Sequence, residues 1–446
     1  MTGGAQGHRL LIVGYHSPPG REVGGLRWWG LGGHLARRGW QVHYLSCRAG
    51  AEAESVPDGM TVERVAPART LDDRYREWRA ARREVKGPDP LGAGSVPGAV
   101  ASAPLSTSAS GAASGLRALR RELGSLLSFP DEGRGWMGPG RRAVRRALRD
   151  FRPDVVVSTG PPHSIHLATA LGLGRSGSSW IADFRDPWAD EARAHLDAAW
   201  AVPIFSRLEG VVIRRATRVL TTTPELADVL ARRYPGAPVA WLPNGVDMAS
   251  LPPRDGLGNA PFTVLHLGTL YHRRNPIPAV DAFAALLRRR PSLREEGARL
   301  LFVGGARAGY QESIEARAVE LGVEAHVSVP GPRPRDEALR LLASSAVSLV
   351  LAQDQATAVP AKIYEAAGMG LPALVVTEPG SAAANAGRRL GAAVHEATDV
   401  EGMAESLAAA CSGEWSGRVP EGTLLDYADL AGVAEKVLLR SLRANG

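Results

Sequence analysis

What constrains this chain most is a rhythm. Short apolar runs rich in β-branched residues alternate with helical patterns, and they do so through two successive series. In the first series, residues 10–13 (L-L-I-V) read as a buried strand, 26–38 as a helix closed by Gly39, and 42–45 as a strand. Strands at 155–158, 180–182, 219–222 and 239–242 follow, with helices at 165–173 and at 224–234, the latter carrying Pro224 in its first turn. Residues 243–261, rich in Pro, Gly, Asn and Asp, read as a linker. The second series has strands at 263–267, 300–303, 327–329, 348–352 and 373–376, and helices at 279–289, 311–321, 335–344 and 361–369. Such alternation predicts βαβ units on parallel sheets. The chain is therefore expected to be α/β, with two Rossmann-like, doubly wound domains facing a cleft. These are residues 1–242 and 262–425. A last helix over 426–446 is expected to pack back on the first domain. Ligands of doubly wound sheets bind at the carboxyl ends of the strands, so the cleft is the expected site.

Composition narrows the class. The chain has 446 residues, 44% hydrophobic and 22% charged, which is globular and sufficient for two cores. Residues 87–115, dominated by Gly, Ala, Ser and Pro, read as a disordered insertion. Cys47 and Cys411 match no metal spacing and read as reduced, buried thiols. No apolar run approaches the ~18 residues that span a bilayer, and the 10–13 run is too short for a signal peptide core. A cytoplasmic protein is expected. The net charge of +7 is local: residues 71–152 hold 16 basic and 9 acidic side chains, which is the whole excess. That confinement, and the lack of a nucleic-acid motif, argue against a nucleic-acid binder.

The candidate residues stand where strands end. After the first strand, residues 14–27 contain Gly24 and Gly25 just before a helix, where backbone N–H groups and the helix dipole favour an anion. The G-x-G-x-x-G pattern of a dinucleotide site is absent. Residues 159–166 (T-G-P-P-H-S-I-H) place His163 at a strand end, on a loop stiffened by Pro161 and Pro162, while His166 reads as packing. In D-F-R-D-P-W (183–188), Arg185 and Asp186 are suited to sugar hydroxyls or to each other. Residues 268–276 (G-T-L-Y-H-R-R-N-P) carry Arg273 and Arg274, whose guanidinium groups suit a diphosphate. Residues 359–372 (V-P-A-K-I-Y-E-A-A-G-M-G-L-P) start a helix at Pro360 and put Lys362 and Glu365 on one face. Lys362 adds positive charge where the dipole already attracts anions, and Glu365 can accept two hydroxyls, as a ribose presents. No metal-ligating cluster is evident, so metal independence is expected.

The layout, the Gly-Gly loop and the P-x-K-x-Y-E-x-x-x-x-G-x-P segment resemble the retaining GT-B glycosyltransferases of family 4. T-G-P-P-H-S-I-H-L, D-F-R-D-P-W, L-P-N-G-V-D and G-T-L-Y-H-R-R-N-P are similar to a bacterial subgroup tied to surface polysaccharides. The likeness covers nearly the whole chain apart from 87–115. It implies a nucleoside-diphosphate-sugar donor as co-substrate, with no cofactor, and a glycan, lipid-linked or small-molecule acceptor. It assigns ribose binding to Glu365, diphosphate binding to Arg273 or Arg274 and to the Gly24-Gly25 loop, and proximity to the transferred sugar to His163. Two positions depart from the family pattern: Thr357 stands where a second glutamate is frequent, and Thr269 where an arginine is usual. Nucleotide-sugar epimerases share the fold and are the rival enzyme class.

One further stretch bears on partners. In R-R-A-V-R-R-A-L-R-D-F-R (141–152), Val144, Leu148 and Phe151 form one helical stripe among Arg141, Arg142, Arg145, Arg146 and Arg149. Such a helix either packs on the sheet with a solvated arginine face or lies on an anionic membrane surface.

Overall fold

The computed structural model describes residues 7–18, 23–47, 56–70, 73–74, 129–190, 201–254, 260–271, 274–423 and 425–443. The 87–115 stretch and Arg273 lie outside the described residues.

The first domain is a sheet of seven parallel strands in the order β3-β2-β1-β4-β5-β6-β7. They are β1 (Arg9–Val13), β2 (Gln41–Cys47), β3 (Met60–Val65), β4 (Val155–Gly160), β5 (Ser179–Phe184), β6 (Arg218–Thr221) and β7 (Val239–Trp241). Its helices are α1 (Leu26–Arg37), α2 (Met137–Asp150), α3 (Ser164–Leu173), α4 (Ala201–Arg215) and α5 (Pro224–Arg233). The second sheet holds six parallel strands in the order β10-β9-β8-β11-β12-β13. These are β8 (Thr263–Leu267), β9 (Arg299–Val303), β10 (Val327–Ser328), β11 (Val347–Leu351), β12 (Ala373–Val376) and β13 (Ala393–His395). Its longer helices are α6 (Ile277–Arg289), α7 (Tyr310–Glu320), α8 (Arg335–Ala343), α9 (Ala361–Gly368), α10 (Ala382–Arg389) and α11 (Val400–Cys411). The last helix, α12 (Tyr427–Arg443), joins the first domain's core through Tyr427, Leu430, Ala431, Ala434 and Leu438.

Both sheets reverse their winding once, between β1 and β4 and between β8 and β11. At such a reversal the loops on either side splay apart and leave a crevice over the strand ends. The central strands read as unbroken apolar runs because helices cover both sheet faces; Leu10 to Val13 and Val155 to Val157 are fully buried. Helix starts follow local chemistry: Thr223 accepts a hydrogen bond from the Leu226 amide (3.1 Å) ahead of Pro224.

The described part of the Pro- and Gly-rich stretch, 243–254, crosses between the domains as a braced strap. Val246 and Leu425 share a backbone hydrogen bond of 3.0 Å, and Tyr427 donates to Val246 at 2.9 Å. Gly245 is required there: a Cβ would lie 2.4 Å from the Leu425 carbonyl oxygen. Cys47 is buried as expected, whereas Cys411 is only half-buried, because α11 lies at the domain's outer surface.

The basic helix is α2, and its apolar stripe faces inward. Val144 is fully buried, Leu148 packs against the same core, and the Phe151 ring lies 5.5 Å from that of His43. The stripe is therefore committed to the domain and cannot enter a membrane. Arg141, Arg142, Arg145 and Arg149 remain on the solvent side, while Arg146 pairs with Glu63. No described helix is long and apolar enough to cross a membrane.

Candidate functional site

The second domain's half of the site forms around one carboxylate. Glu365 sits in the first turns of α9, 3% exposed. Its Oε2 accepts from Lys362 Nζ at 2.7 Å and its Oε1 from Arg335 Nη2 at 2.8 Å. Arg335 was not singled out from the sequence, yet a signal existed. It is the first residue of α8, where a cation opposes the helix dipole and needs another reason to be there.

Arg274 reaches the site from the loop after β8. Its Nη1 donates to the Thr269 carbonyl at 3.3 Å, and its guanidinium carbon lies 4.4 Å above the Tyr271 ring. Burial lowers its pKa, which marks a cation that has lost much of its hydration. The charges of Arg274 and Lys362 both act on His266 of β8, so the loop and the start of α9 converge. Gly304 permits this crowding: a Cβ on it would lie 2.1 Å from the Gly268 carbonyl oxygen. Thr269 supplies only its backbone to Arg274. Thr357 supplies its carbonyl to Thr223 Oγ1 (2.8 Å), a contact with the first domain.

In the first domain, Gly24 and Gly25 end a short 3-10 turn that runs into α1. Gly25 has to be glycine because its neighbour is backbone, whereas at Gly24 the neighbour is the movable end of an arginine. A Cβ on Gly25 would lie 2.9 Å from the His16 backbone, and one on Gly24 would lie 3.0 Å from Arg185 Nη2. Arg185 thus packs on the turn. It also donates from Nε to the Gly160 carbonyl (3.0 Å) and from Nη2 to that of Pro161 (2.7 Å). These bonds brace the 160–162 loop. Asp186 is partly buried, and its charge acts on His163.

His163 differs from expectation. It does follow β4, but its ring is 2% exposed and stacked on Trp188 (centroids 5.2 Å apart) and Phe184 (5.5 Å). Burial pushes its pKa down to about 4, so the imidazole is neutral near pH 7. The aromatic residues of the D-F-R-D-P-W segment fold over the loop and enclose it. His166 packs beside it on α3, with Nδ1 2.8 Å from Ser158 Oγ.

A buried ion pair ties these parts together, and the sequence reading passed over it. Asp183, at the end of β5, is fully buried. It accepts from Trp28 Nε1 and Thr159 Oγ1, both at 2.8 Å, and lies 3.5 Å from Arg27 Nε. Arg27 in turn donates to the carbonyls of Leu242 (2.8 Å) and Pro243 (2.7 Å) at the crossing. Asp183 occupies an inward position of a buried strand, where a lone carboxylate demands a partner; that was the available signal. Tyr427 lies between the halves. Burial pushes its phenol up to about 12, and the charges of Arg27, Arg185 and Glu365 all act on it.

Among the described residues, one group of His and Asp side chains converges closely enough for a cation: His34, Asp247 and Asp426, where α1 meets the crossing strap. His34 Nδ1 already lies 2.9 Å from Arg37 Nη2.

Comparison with known proteins adds the following. A family model described as Glycosyltransferase Family 4 matches residues 100–250, and one described as Glycosyl transferases group 1 matches residues 261–412. No curated protein matches the sequence. Among solved structures, the chain is similar to sucrose-phosphate synthase from Thermosynechococcus elongatus, with 12% identity and a TM-score of 0.61 over 98% of this chain and 100% of that one. It is similar to Anabaena HepE in complex with UDP, at 14% identity and TM-score 0.55 over 98% and 97%. It is also similar to WaaG, a glycosyltransferase involved in lipopolysaccharide biosynthesis, at 16% identity and TM-score 0.53 over 96% and 99%.

Proposed function

We propose, for a chain that belongs to the family 4 glycosyltransferases and has the GT-B fold, a retaining, metal-independent transfer of a sugar from a nucleoside-diphosphate donor. The observation that carries this reading is Glu365: a carboxylate at a strand-end crevice, paired with Lys362 and Arg335, while the charge of Arg274 acts with that of Lys362 on the neighbouring His266. A ribose diol can donate to the free lone pairs of Glu365, and the cations stand ready for the diphosphate. HepE has been captured with UDP and with UDP-glucose, which makes a uridine donor the first to test.

As the bond from sugar to diphosphate breaks, negative charge grows on the leaving oxygens. Arg274 and Lys362 meet that charge from one side, and the N–H groups of the Gly24-Gly25 turn meet it from the other. No metal is needed to balance it. The acceptor hydroxyl attacks from the face that the diphosphate leaves, so no protein nucleophile takes part. Arg185 and His163 serve by fixing the 160–166 loop that borders the acceptor side. The family places glycans, lipid-linked glycans and small molecules among the candidate acceptors. The arginine face of α2 favours a lipid-linked one at an anionic membrane, held by charge alone.

The test is a thermal-shift screen of nucleotide sugars, followed by a transfer assay with and without chelator. A matching donor raises the melting temperature by mass action, and chelator leaves turnover unchanged. Consumption of the donor without any acceptor would favour an epimerase instead. Vesicle co-sedimentation tests the surface role: wild type pellets with phosphatidylglycerol at low salt and is released as salt rises. Protein that stays in the supernatant refutes it.

A further inference from the structure

Three buried polar atoms that lack a hydrogen-bond partner among the described residues are His266 Nε2, Arg274 Nε and Gln353 Oε1. All three residues lie around the β8–β11 reversal. His266 stands on β8, 3% exposed, with Nδ1 3.0 Å from the Leu349 carbonyl oxygen on β11. A carbonyl oxygen only accepts, so the ring proton sits on Nδ1 and Nε2 carries a bare lone pair. Burial, and then the charges of Arg274 and Lys362, push the ring down to about 4 and keep it neutral.

That lone pair and the Arg274 guanidinium approach one point. A Cβ built on Gly268 would lie 3.6 Å from His266 Nε2 and 3.6 Å from Arg274 Nη1. Arg274 is loosely held, by one long bond to Thr269 and by the face of Tyr271. Gln353 Nε2 donates to the Asn275 carbonyl at 3.0 Å, which anchors the C-terminal end of the same loop. Arg274 Nε and His266 Nε2 are both buried and without a partner among the described residues, and such groups cost free energy until they are paired.

We propose that His266 is a positioning residue for Arg274: on binding of a diphosphate, one guanidinium N–H turns onto His266 Nε2, and the opposite edge is presented to the phosphate oxygens. The inference rests on the donor-site reading above. Arginine has five N–H donors in a rigid fork, so it can serve both partners at once. A neutral acceptor suits this task better than a carboxylate, which would cancel the charge that the diphosphate needs.

The test is a double-mutant cycle on the full chain, read by calorimetry with UDP, GDP, ADP and dTDP. If none of them binds wild type, the donor-site reading falls, and the role of His266 with it. With the diphosphate that binds, His266→Phe raises Kd about tenfold, while the matching nucleoside changes by less than twofold. His266→Gln, which keeps an acceptor, recovers most of the loss. In an Arg274→Ala background, His266→Phe adds less than twofold. An equal loss in that background, an equal loss for the nucleoside, or an unchanged Kd overturns the proposal. Should the Phe variant not fold, the same cycle is read with His266→Met.

Discussion

Replacing Glu365 by Gln isolates charge from shape. The substitution keeps the side chain's length and one oxygen, and removes the negative charge from a group that is 3% exposed between Lys362 and Arg335. Two consequences separate. Hydrogen bonds to a charged acceptor are worth roughly 1.5–3 kcal/mol, against about 1 for neutral ones. Two ribose hydroxyls bound to an amide oxygen should therefore lose about 1.5–3 kcal/mol together, or roughly a 10- to 150-fold rise in Kd. Stability falls as well, because two cations lose their shared partner. Breaking a fully buried pair costs roughly 3–5 kcal/mol. The Lys362 and Arg335 side chains are 21% and 32% exposed, however, and can turn toward water, so a smaller loss is expected. Calorimetry with the donor nucleotide, after a ligand-free melt confirms a folded variant, reads the first effect alone. A folded Glu365→Gln protein whose nucleotide Kd stays within twofold of wild type would refute the ribose assignment.

Acid should destabilise the protein through its buried histidines. His163 and His266 are each depressed to about 4 by burial, so below the ordinary value of 6.5 the unfolded chain binds protons that the folded one refuses. Their stability contribution is complete above about pH 7.5 and declines as pH falls toward 4, by about 1.4 kcal/mol per histidine at pH 5.5; chemical denaturation at pH 8 and 5.5 measures it, and equal midpoints contradict it. Asp183→Asn should cost roughly 3–5 kcal/mol by leaving Arg27 buried without its counter-charge, read as a lowered denaturation midpoint; a shift under 1 kcal/mol would mean that the Leu242 and Pro243 carbonyls suffice to hold Arg27.

The architecture was legible because period and position carried it. Parallel strands buried on both faces leave runs such as L-L-I-V and V-V-V-S with no competing reading. What escaped lacked that signature. Strand β3, M-T-V-E-R-V, is half-exposed at the sheet edge and mixes charge with apolar residues. Helix α4 carries Pro203 and Gly210 inside it, both of which read as breakers. Helix α10, A-A-A-N-A-G-R-R, presents too little apolar bulk to show a face, because Gly387 packs directly on Val394. The site was half legible. Lys362 and Glu365 share one helix, so spacing joined them. Arg335 with Glu365, and Arg27 with Asp183, pair across 30 and 156 residues, and only the fold brings them together. The burial of His163 escaped for a related reason: Trp188 and Phe184, which enclose it, come from the next strand and loop.

The two halves of the cleft are built on opposite principles. On the first-domain side, Arg27, Asp183 and Arg185 are tied to backbone carbonyls, to Trp28 and Thr159, and to each other. On the second-domain side, Lys362 and Arg335 share a single carboxylate, and Arg274 rests on an aromatic face with its Nε–H unpaired among the described residues. A surface already satisfied by its own protein has little to gain from a charged ligand, whereas under-satisfied cations gain much. Under the proposed function, binding energy for an anionic donor would be concentrated in the second domain, while the first supplies shape. Two side-chain hydrogen bonds cross between them. Thr223 Oγ1 donates to the Thr357 carbonyl, and Asn385 Nδ2 to Glu225 Oε1 at 2.7 Å. Thr357 precedes the donor helix α9 by a few residues. A donor that shifts that helix would therefore act directly on the contact between the domains, which the backbone carbonyl of Thr357 makes whatever its side chain.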